Sequence, residues 1–167
     1  SEQKARLADG RPLLGVGFAT YTEHTGVSTS VLAPMGTRLM PGHEQAAVRI
    51  TPDGGVDIRT GVQSHGQGME TSLAQVASDV LGIDIDKIQV VHGDTALTPY
   101  STGTYASRCM IMVGGAVADG CDRLIGRMRM AAAHLMQRPP DELEFRDGAF
   151  HADSASMTIA EIANIYY

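Results

Sequence analysis

The stretch 46–60 constrains this chain more than any other. Ala46, Val48 and Ile50 alternate with Ala47, Arg49 and Thr51, while Val56, Ile58 and Thr60 alternate with Asp57 and Arg59. Between the runs stands Pro52-Asp53-Gly54-Gly55. Strict alternation sends one face of a strand into a core and the other into water. An Asp-Gly step between such runs supplies the positive φ that a tight hairpin turn demands. The chain therefore holds an antiparallel pair, and later elements must cover its apolar face.

The next elements alternate between helix and strand. Leu73, Val76, Ala77, Val80 and Leu81 share one face of a predicted helix over 70–81, with Gly82 where a C-terminal cap is wanted. Residues 88–92 read as a short strand. Residues 93–105 read as a long irregular loop, the kind of segment that carries function. A second helix is predicted over 110–136, with Val113, Val117, Cys121, Leu124, Met128, Ala131 and Leu135 as its apolar stripe. Arg123, Arg127 and Arg129 fall on or near its wet side, and Pro139-Pro140 ends it. Residues 143–151 form a second hairpin around Arg146-Asp147-Gly148, and Thr158 and Glu161 have capping-box spacing for a last helix.

Upstream, residues 1–12 read as a polar, flexible lead-in closed by a turn at Gly10-Arg11-Pro12. Residues 13–23 alternate like a strand with close neighbours. Residues 25–40 keep no period, so a loop or irregular edge strand is expected there. Hairpins dominate this order, and the expected class is α+β. The arrangement would be two-layered: a mixed or antiparallel sheet, two main helices and a short C-terminal helix, in one domain over 13–167.

Composition excludes several functions. The chain has 167 residues, a net charge of −6 and only 13 Lys and Arg against 19 Asp and Glu. That balance argues against a nucleic-acid face. No apolar run approaches the roughly 20 residues of a membrane span, and no secretory leader opens the chain. Cys109 and Cys121 are too few and too far apart for a disulfide scaffold or zinc site, so a reducing, cytoplasmic setting is expected. The six histidines show no metal-ligand spacing. His43-Glu44 could serve as an acid/base pair, but it stands alone beside a strand start.

Two segments carry chemistry. Gln63-Ser64-His65-Gly66-Gln67-Gly68-Met69-Glu70-Thr71 joins a strand to a helix. Gly66 and Gly68 remove side chains where a ligand could approach backbone amides. The helix N-terminus adds free donors and about half a positive charge, which suits a phosphate. A glycine-rich turn without any ligand explains the same residues equally well. Ser101-Thr102-Gly103-Thr104-Tyr105-Ala106-Ser107-Arg108-Cys109 repeats the logic at another helix start. Ser107 could equally be an N-cap hydroxyl, contributing about 1 kcal/mol. Cys109 at that helix start is either a thiol of lowered pKa or a small buried filler. Two such starts in one small domain suggest a ligand with phosphates and a polar ring held between them.

These motifs, with Asp79-Val-Leu-Gly-Ile, Ile88-Gln-Val-Val-His-Gly-Asp94 and Pro99-Tyr100 ahead of the second loop, resemble the molybdopterin-binding region of the xanthine dehydrogenase/aldehyde oxidase family. The opening Leu14-Gly-Val-Gly-Phe-Ala-Thr-Tyr-Thr-Glu-His-Thr-Gly26 is similar to the segment that begins that region. The flavour is that of bacterial aldehyde and carbon monoxide dehydrogenase-type large subunits. Agreement in order and spacing runs over residues 10–165. The resemblance implies that His65, Gly66, Gln67, Gly68 and Met69 contact the pterin and its phosphates near molybdenum. It implies that Ala106, Ser107, Arg108 and Cys109 line the pyrophosphate and nucleotide side. His65 and Cys109-Met110 depart from the commoner residues at those places.

The resemblance also implies a larger enzyme. Its catalytic Glu lies downstream of this stretch in the family, and further cofactor loops and the substrate-pocket loop lie upstream. This chain then matches a central fragment of a large subunit. The implied cofactor is molybdopterin with molybdenum, in dinucleotide form, with none expected to stay on the fragment alone. The implied partners are the remainder of that subunit, iron–sulfur and FAD subunits or domains, and a small-molecule substrate such as an aldehyde or N-heterocycle. Oxidation by water-derived oxygen is the implied reaction, with no turnover by the fragment itself. Apolar surface left bare by the missing parts would favour self-association. Two other readings stay open. One is a nucleotide-dependent dehydrogenase domain, weakened because Thr71 replaces the third fingerprint glycine. The other is a non-catalytic assembly module of the same fold.

Overall fold

The computed structural model of the chain describes residues 2–23, 25–26, 34 and 43–167. Most of the irregular stretch expected over 25–40, and His24 with it, lies outside the described residues. Helix α1 (Glu2–Ala8) opens the chain where a frayed lead-in was expected. Its side chains fasten it to residues 12–14: Arg6 Nε donates to Pro12 O at 2.8 Å, and Leu14 N–H donates to Gln3 Oε1 at 3.1 Å. No residue of α1 is buried.

The strand expected over 13–23 is absent. The segment has no regular structure, and Leu14, Val16, Phe18 and Tyr21 are all exposed, Phe18 at 96%. Its alternation is real, but a strand needs a neighbour for its backbone N–H and C=O groups, and none lies beside it among the described residues.

The central hairpin forms as its alternation dictates. β1 (Ala46–Ile50) and β2 (Val56–Thr60) pair antiparallel, from Ala46 opposite Thr60 to Ile50 opposite Val56. Gly54 closes the turn at φ +84, its N–H donating to Thr51 O at 2.9 Å. α2 (Met69–Leu81) begins one residue earlier than its apolar periodicity alone suggests, and buries Met69, Leu73, Ala74, Ala77 and Leu81. Gly82, at φ +63, caps it by donating to Ser78 O at 2.8 Å. After a 3₁₀ turn (Ile85–Lys87), β3 (Ile88–Val91) returns parallel to β2, pairing Val56 with Ile88 and Arg59 with Val91.

α3 (Cys109–Met136) is the spine, about 42 Å long at 1.5 Å per residue. Its N-terminal half packs Val113, Val117 and Cys121 against α2 and the first sheet, beside Ile58, Val62 and Leu73. Each such fully buried aliphatic side chain contributes roughly 1.5–3 kcal/mol of transfer free energy. Its C-terminal half packs Met128, Ala132 and Ala133 in a second cluster with Leu143, Phe150, Ile159 and Ile162. Ile83, Leu124 and Ile125 touch both clusters. Arg129, expected near the wet side, instead bends back to donate to Leu143 O, its guanidinium 5.5 Å from the centre of the Phe150 ring.

The second cluster is covered by β4 (Glu144–Arg146), β5 (Ala149–Ala152), β6 (Ala155–Thr158) and α4 (Ile159–Tyr166). The expected hairpin is thus two strands of a three-stranded antiparallel meander, β4-β5-β6. The capping box is complete: Glu161 N–H donates to Thr158 Oγ1 at 3.2 Å, and Thr158 N–H to Glu161 Oε2 at 2.7 Å. The α+β class holds, with one mixed and one antiparallel sheet among the described strands.

One topological fact decides where function can sit. β2 and β3 are neighbours and parallel, so the loops that come after them leave the sheet at the same end. Those loops are the two chemical segments of the sequence.

Candidate functional site

The first loop, 61–68, turns from β2 into α2. Gly61 lets the second loop pass close: a Cβ there would lie 2.5 Å from Ser101 Cβ and would also meet Pro99 O. Gly66 and Gly68 take φ +94 and +74, and nothing stands within 4 Å of the place a Cβ would occupy. Their backbone is held in the left-handed region and open on its outer side. Gln67 is folded onto its own loop, Oε1 accepting from His65 N–H. That leaves its amide NH2 as the group free to meet a ligand. Gly68 is the N-cap of α2 and supplies no side-chain cap.

Glu70 occupies part of that helix start. Its carboxylate accepts from its own amide, from His92 and from the Ser64 hydroxyl, which together hold its pKa below the ordinary glutamate value. His92 Nε2 lies 2.8 Å from Glu70 Oε1.

The second loop is stitched to the first by Thr104. Gln63 N–H donates to Thr104 Oγ1 at 2.9 Å, and Thr104 Oγ1 donates to Gln63 O at 2.6 Å, joining residues 41 apart. The Cys109 thiol reaches the same hydroxyl at 3.5 Å. Ala106 and Ser107 stand at φ +48 and +49, two consecutive non-glycine residues in a region that L side chains seldom adopt. Ser107 is not the expected N-cap. Arg108 holds that place without a side-chain cap, and Ser107 Oγ donates to Glu23 Oε1 at 3.0 Å.

The loops enclose a cleft of about 470 Å³ lined by Glu23, His65, Gln67, Thr104, Tyr105, Ala106, Ser107, Cys109 and Met110. That size suits a small-molecule cofactor. Of the predicted residues, His65, Gln67, Ala106, Ser107 and Cys109 meet there. Gly66 and Gly68 are exposed in the same loop without lining the cleft, and Met69 is buried in the core. Arg108 is 1% exposed, behind the loop, paired with Glu44. His43-Glu44 is therefore no acid/base pair: Glu44 serves Arg108, and the His43 carbonyl accepts from Arg108 Nη2 at 3.1 Å. Among the described residues, no lysine or arginine lines the cleft. A slightly larger cleft, about 520 Å³, lies between β1, α3 and α4 and contains none of the predicted residues. Among the described residues, no cluster of His, Cys, Asp or Glu could hold a metal ion, and no helix is long and apolar enough to cross a membrane.

A family model for the molybdopterin cofactor-binding domain matches residues 1–167. The chain belongs to that family. It is 35% identical, over 98% of its length, to the carbon monoxide dehydrogenase large chain of Hydrogenophaga pseudoflava, of which it spans 21%. It is 32% identical, over 92%, to the nicotine 6-hydroxylase large subunit of Paenarthrobacter nicotinovorans, spanning 19% of it. A crystal structure of Cu,Mo-CO dehydrogenase superposes with a TM-score of 0.77 at 31% identity, covering 99% of this chain and 22% of that one. Quinoline 2-oxidoreductase from Pseudomonas putida 86 does so with 0.71 at 34%, covering 85% and 18%. The chain thus spans about a fifth of these relatives. Membership of the molybdopterin-binding family sets aside the nucleotide-dependent dehydrogenase reading.

Sequence reasoning assigns no role at this cleft to three residues that shape it. Glu23 reaches the cleft from the end of the 13–23 segment, whose alternation suggests a strand and marks no acid as a site residue. Glu44 reads as half of an acid/base pair until its burial against Arg108 is seen. Thr104 lay within the motif, but nothing local marks its bond to Gln63.

Proposed function

We propose that this chain is the molybdopterin-gripping part of a molybdenum hydroxylase large subunit, and that the cofactor lies in the cleft between the 63–68 and 104–110 segments. The observation that carries this is the meeting of two loops, 41 residues apart, across one cleft, each presenting strained or glycine backbone beside it. The donor chemistry fits. Phosphates would take the open backbone at Gly66 and Gly68, the Gln67 amide and the backbone around Ala106 and Ser107. With no lysine or arginine among the described lining residues, neutral donors would meet the phosphate charge there. Glu23 would face the amino and ring N–H groups of a pterin, for which a carboxylate is a good acceptor. When bound, the molybdenum carried by the pterin would supply two-electron redox chemistry.

The finer reading follows the resemblance. The cofactor is the dinucleotide form, the pyrophosphate lying toward Ala106 and Ser107. The remainder of the large subunit covers the exposed 13–21 segment, and iron–sulfur and FAD partners carry electrons away. The intact enzyme oxidises an aldehyde, N-heterocycle or similar small molecule with water-derived oxygen. The isolated chain has no turnover.

The test is chemical analysis of the intact protein that carries this domain. Molybdenum and releasable pterin should be present in about equal amounts, and Gly68→Val should lose both while keeping its far-UV circular dichroism. An intact native protein without molybdenum or pterin would overturn the proposal in favour of an assembly module. Aldehyde oxidation by the isolated chain would overturn the claim that it is inactive alone.

A further inference from the structure

Arg108 and Glu44 form a buried ion pair behind the second loop. The Glu44 side chain has no exposed surface, and Arg108 is 1% exposed. Arg108 Nη1 donates to Glu44 Oε1 and to Gly103 O, the latter at 3.0 Å, and the guanidinium lies over the Tyr105 ring at 4.9 Å. Thr102 Oγ1 donates to the same Glu44 oxygen at 3.3 Å and lies 3.2 Å from the Tyr105 hydroxyl. Thr102, Gly103, Tyr105 and Arg108 are thus all fastened around one carboxylate. That carboxylate stands two residues before β1, so the loop is tied to the first sheet.

Such a pair is a poor choice for stability alone. Removing two charges from water costs about as much as their attraction returns, and an apolar pair of like volume would serve the core as well. Glu44 Oε2 adds to the cost, because it is buried and finds no hydrogen-bond partner among the described residues. Beside the pair sit Ala106 and Ser107 with positive φ. Non-glycine residues keep that conformation only where their surroundings over-determine it, and such strain gathers at functional sites. Ser107 is followed by right-handed Arg108, at φ −86 and ψ −19. A change of hand between neighbours turns successive amides into an anion-binding concavity.

We propose that Arg108 and Glu44 are positioning residues: the buried pair holds Ala106 and Ser107 in their strained conformation, so that backbone amides rather than the guanidinium meet the bound group. This rests on the cleft being the cofactor site, and it reverses the plainer view of Arg108 as a phosphate ligand. The two roles predict opposite behaviour at Glu44. A positioning pair fails when either member is lost. A ligand arginine works as well, or better, once freed from its carboxylate.

The experiment uses the intact protein isolated with its cofactor. Glu44→Gln and Arg108→Gln should each raise the rate of cofactor loss, read as molybdenum and pterin retained after gel filtration, by roughly 10–100-fold, the range for second-layer partners of a bound centre. The double variant should lose cofactor no faster than the worse single variant, since the two act as one unit. Amide hydrogen exchange at residues 106–109 should quicken by about tenfold or more in Glu44→Gln, with the middle of α2 unchanged. Normal retention in Glu44→Gln alongside loss in Arg108→Gln would overturn the proposal. If a lone buried charge prevents folding, Glu44→Gln combined with Arg108→Met removes both charges, and normal retention in that folded variant overturns it equally. A wild-type protein that carries no cofactor would sink the cofactor reading, while the exchange measurement still decides whether the pair holds the loop.

Discussion

His92 Nε2 lies 2.8 Å from Glu70 Oε1, tying the residue after β3 to the first turn of α2. The contact fixes the start of α2 against the sheet from which both cleft loops emerge. Glu70 also accepts from its own amide and from Ser64, and the three donors keep its carboxyl ionised below the ordinary range. A carboxyl whose pKa is lowered by folding contributes stability above the unfolded value, near 4.3, and loses it as pH falls through the folded value. The thermal unfolding temperature should therefore drop on acidification below about pH 4.3. Glu161, held down by the Thr158 backbone and hydroxyl, acts in the same direction. Glu70→Gln should flatten part of the acid dependence and leave the share belonging to Glu161. An unchanged acid profile in Glu70→Gln would refute this role.

Two glycines on α3 should respond oppositely to alanine. Nothing lies within 4 Å of a Cβ placed at Gly126, so Gly126→Ala should gain the helical propensity difference, up to about 1 kcal/mol. A Cβ at Gly120 would stand 2.7 Å from Val48 Cγ2, where the helix crosses β1. There the same gain is met by an overpacking cost of about 1–3 kcal/mol. Gly120→Ala should come out neutral to destabilising in urea unfolding, and Gly120→Val clearly worse. A stabilised Gly120→Ala would mean that helix and strand are not in contact.

The parts of this fold legible in the sequence are those with local signals. The β1–β2 hairpin announces itself by alternation and Asp53-Gly54; α2 by its apolar face and Gly82; α4 by Thr158 and Glu161. β6 was not legible because Ala155, Ser156 and Thr158 are exposed and only Met157 turns inward. An edge strand of that kind carries no periodic pattern. The 13–23 segment shows the converse, a pattern with no neighbour among the described residues to make it a strand. At the site, both loops were readable as ligand-type backbone. Their meeting depends on β2 and β3 being parallel neighbours, a tertiary fact. The burial of Arg108 is hidden for the same reason. An arginine among hydroxyls reads as an anion ligand until its partner, 64 residues upstream, is found buried against it.

The end of α2 and the β4–β5 turn approach backbone to backbone. A Cβ on Gly82 would lie 2.6 Å from Gly148 N and 2.8 Å from Asp147 Cα, and one on Gly148 would lie 2.9 Å from Gly82 O. Gly82 also needs φ +63 to cap the helix. Left-handed strain and the clash act together, so Gly82→Ala should cost about 2–4 kcal/mol in denaturant unfolding. Loss of less than about 0.5 kcal/mol, the range of an ordinary surface change, would show that this junction is loose.

Cys121 should be chemically silent in the folded chain. Its side chain is fully buried on the inner face of α3, within the first core cluster, and burial, with a smaller push from Asp122, raises its thiol to about 11. Only the thiolate attacks an alkylating reagent. Moving from an ordinary value of 9.0 to that value lowers the thiolate fraction near pH 8 roughly 90-fold, before access is considered. Since folding raises this pKa, the associated stability is complete below the unfolded value and fades as pH climbs toward the folded one. In a Cys109→Ser background, iodoacetamide should modify Cys121 at least about 100-fold faster in urea than in native buffer. Comparable native and unfolded rates would mean that α3 does not seal the core at this point.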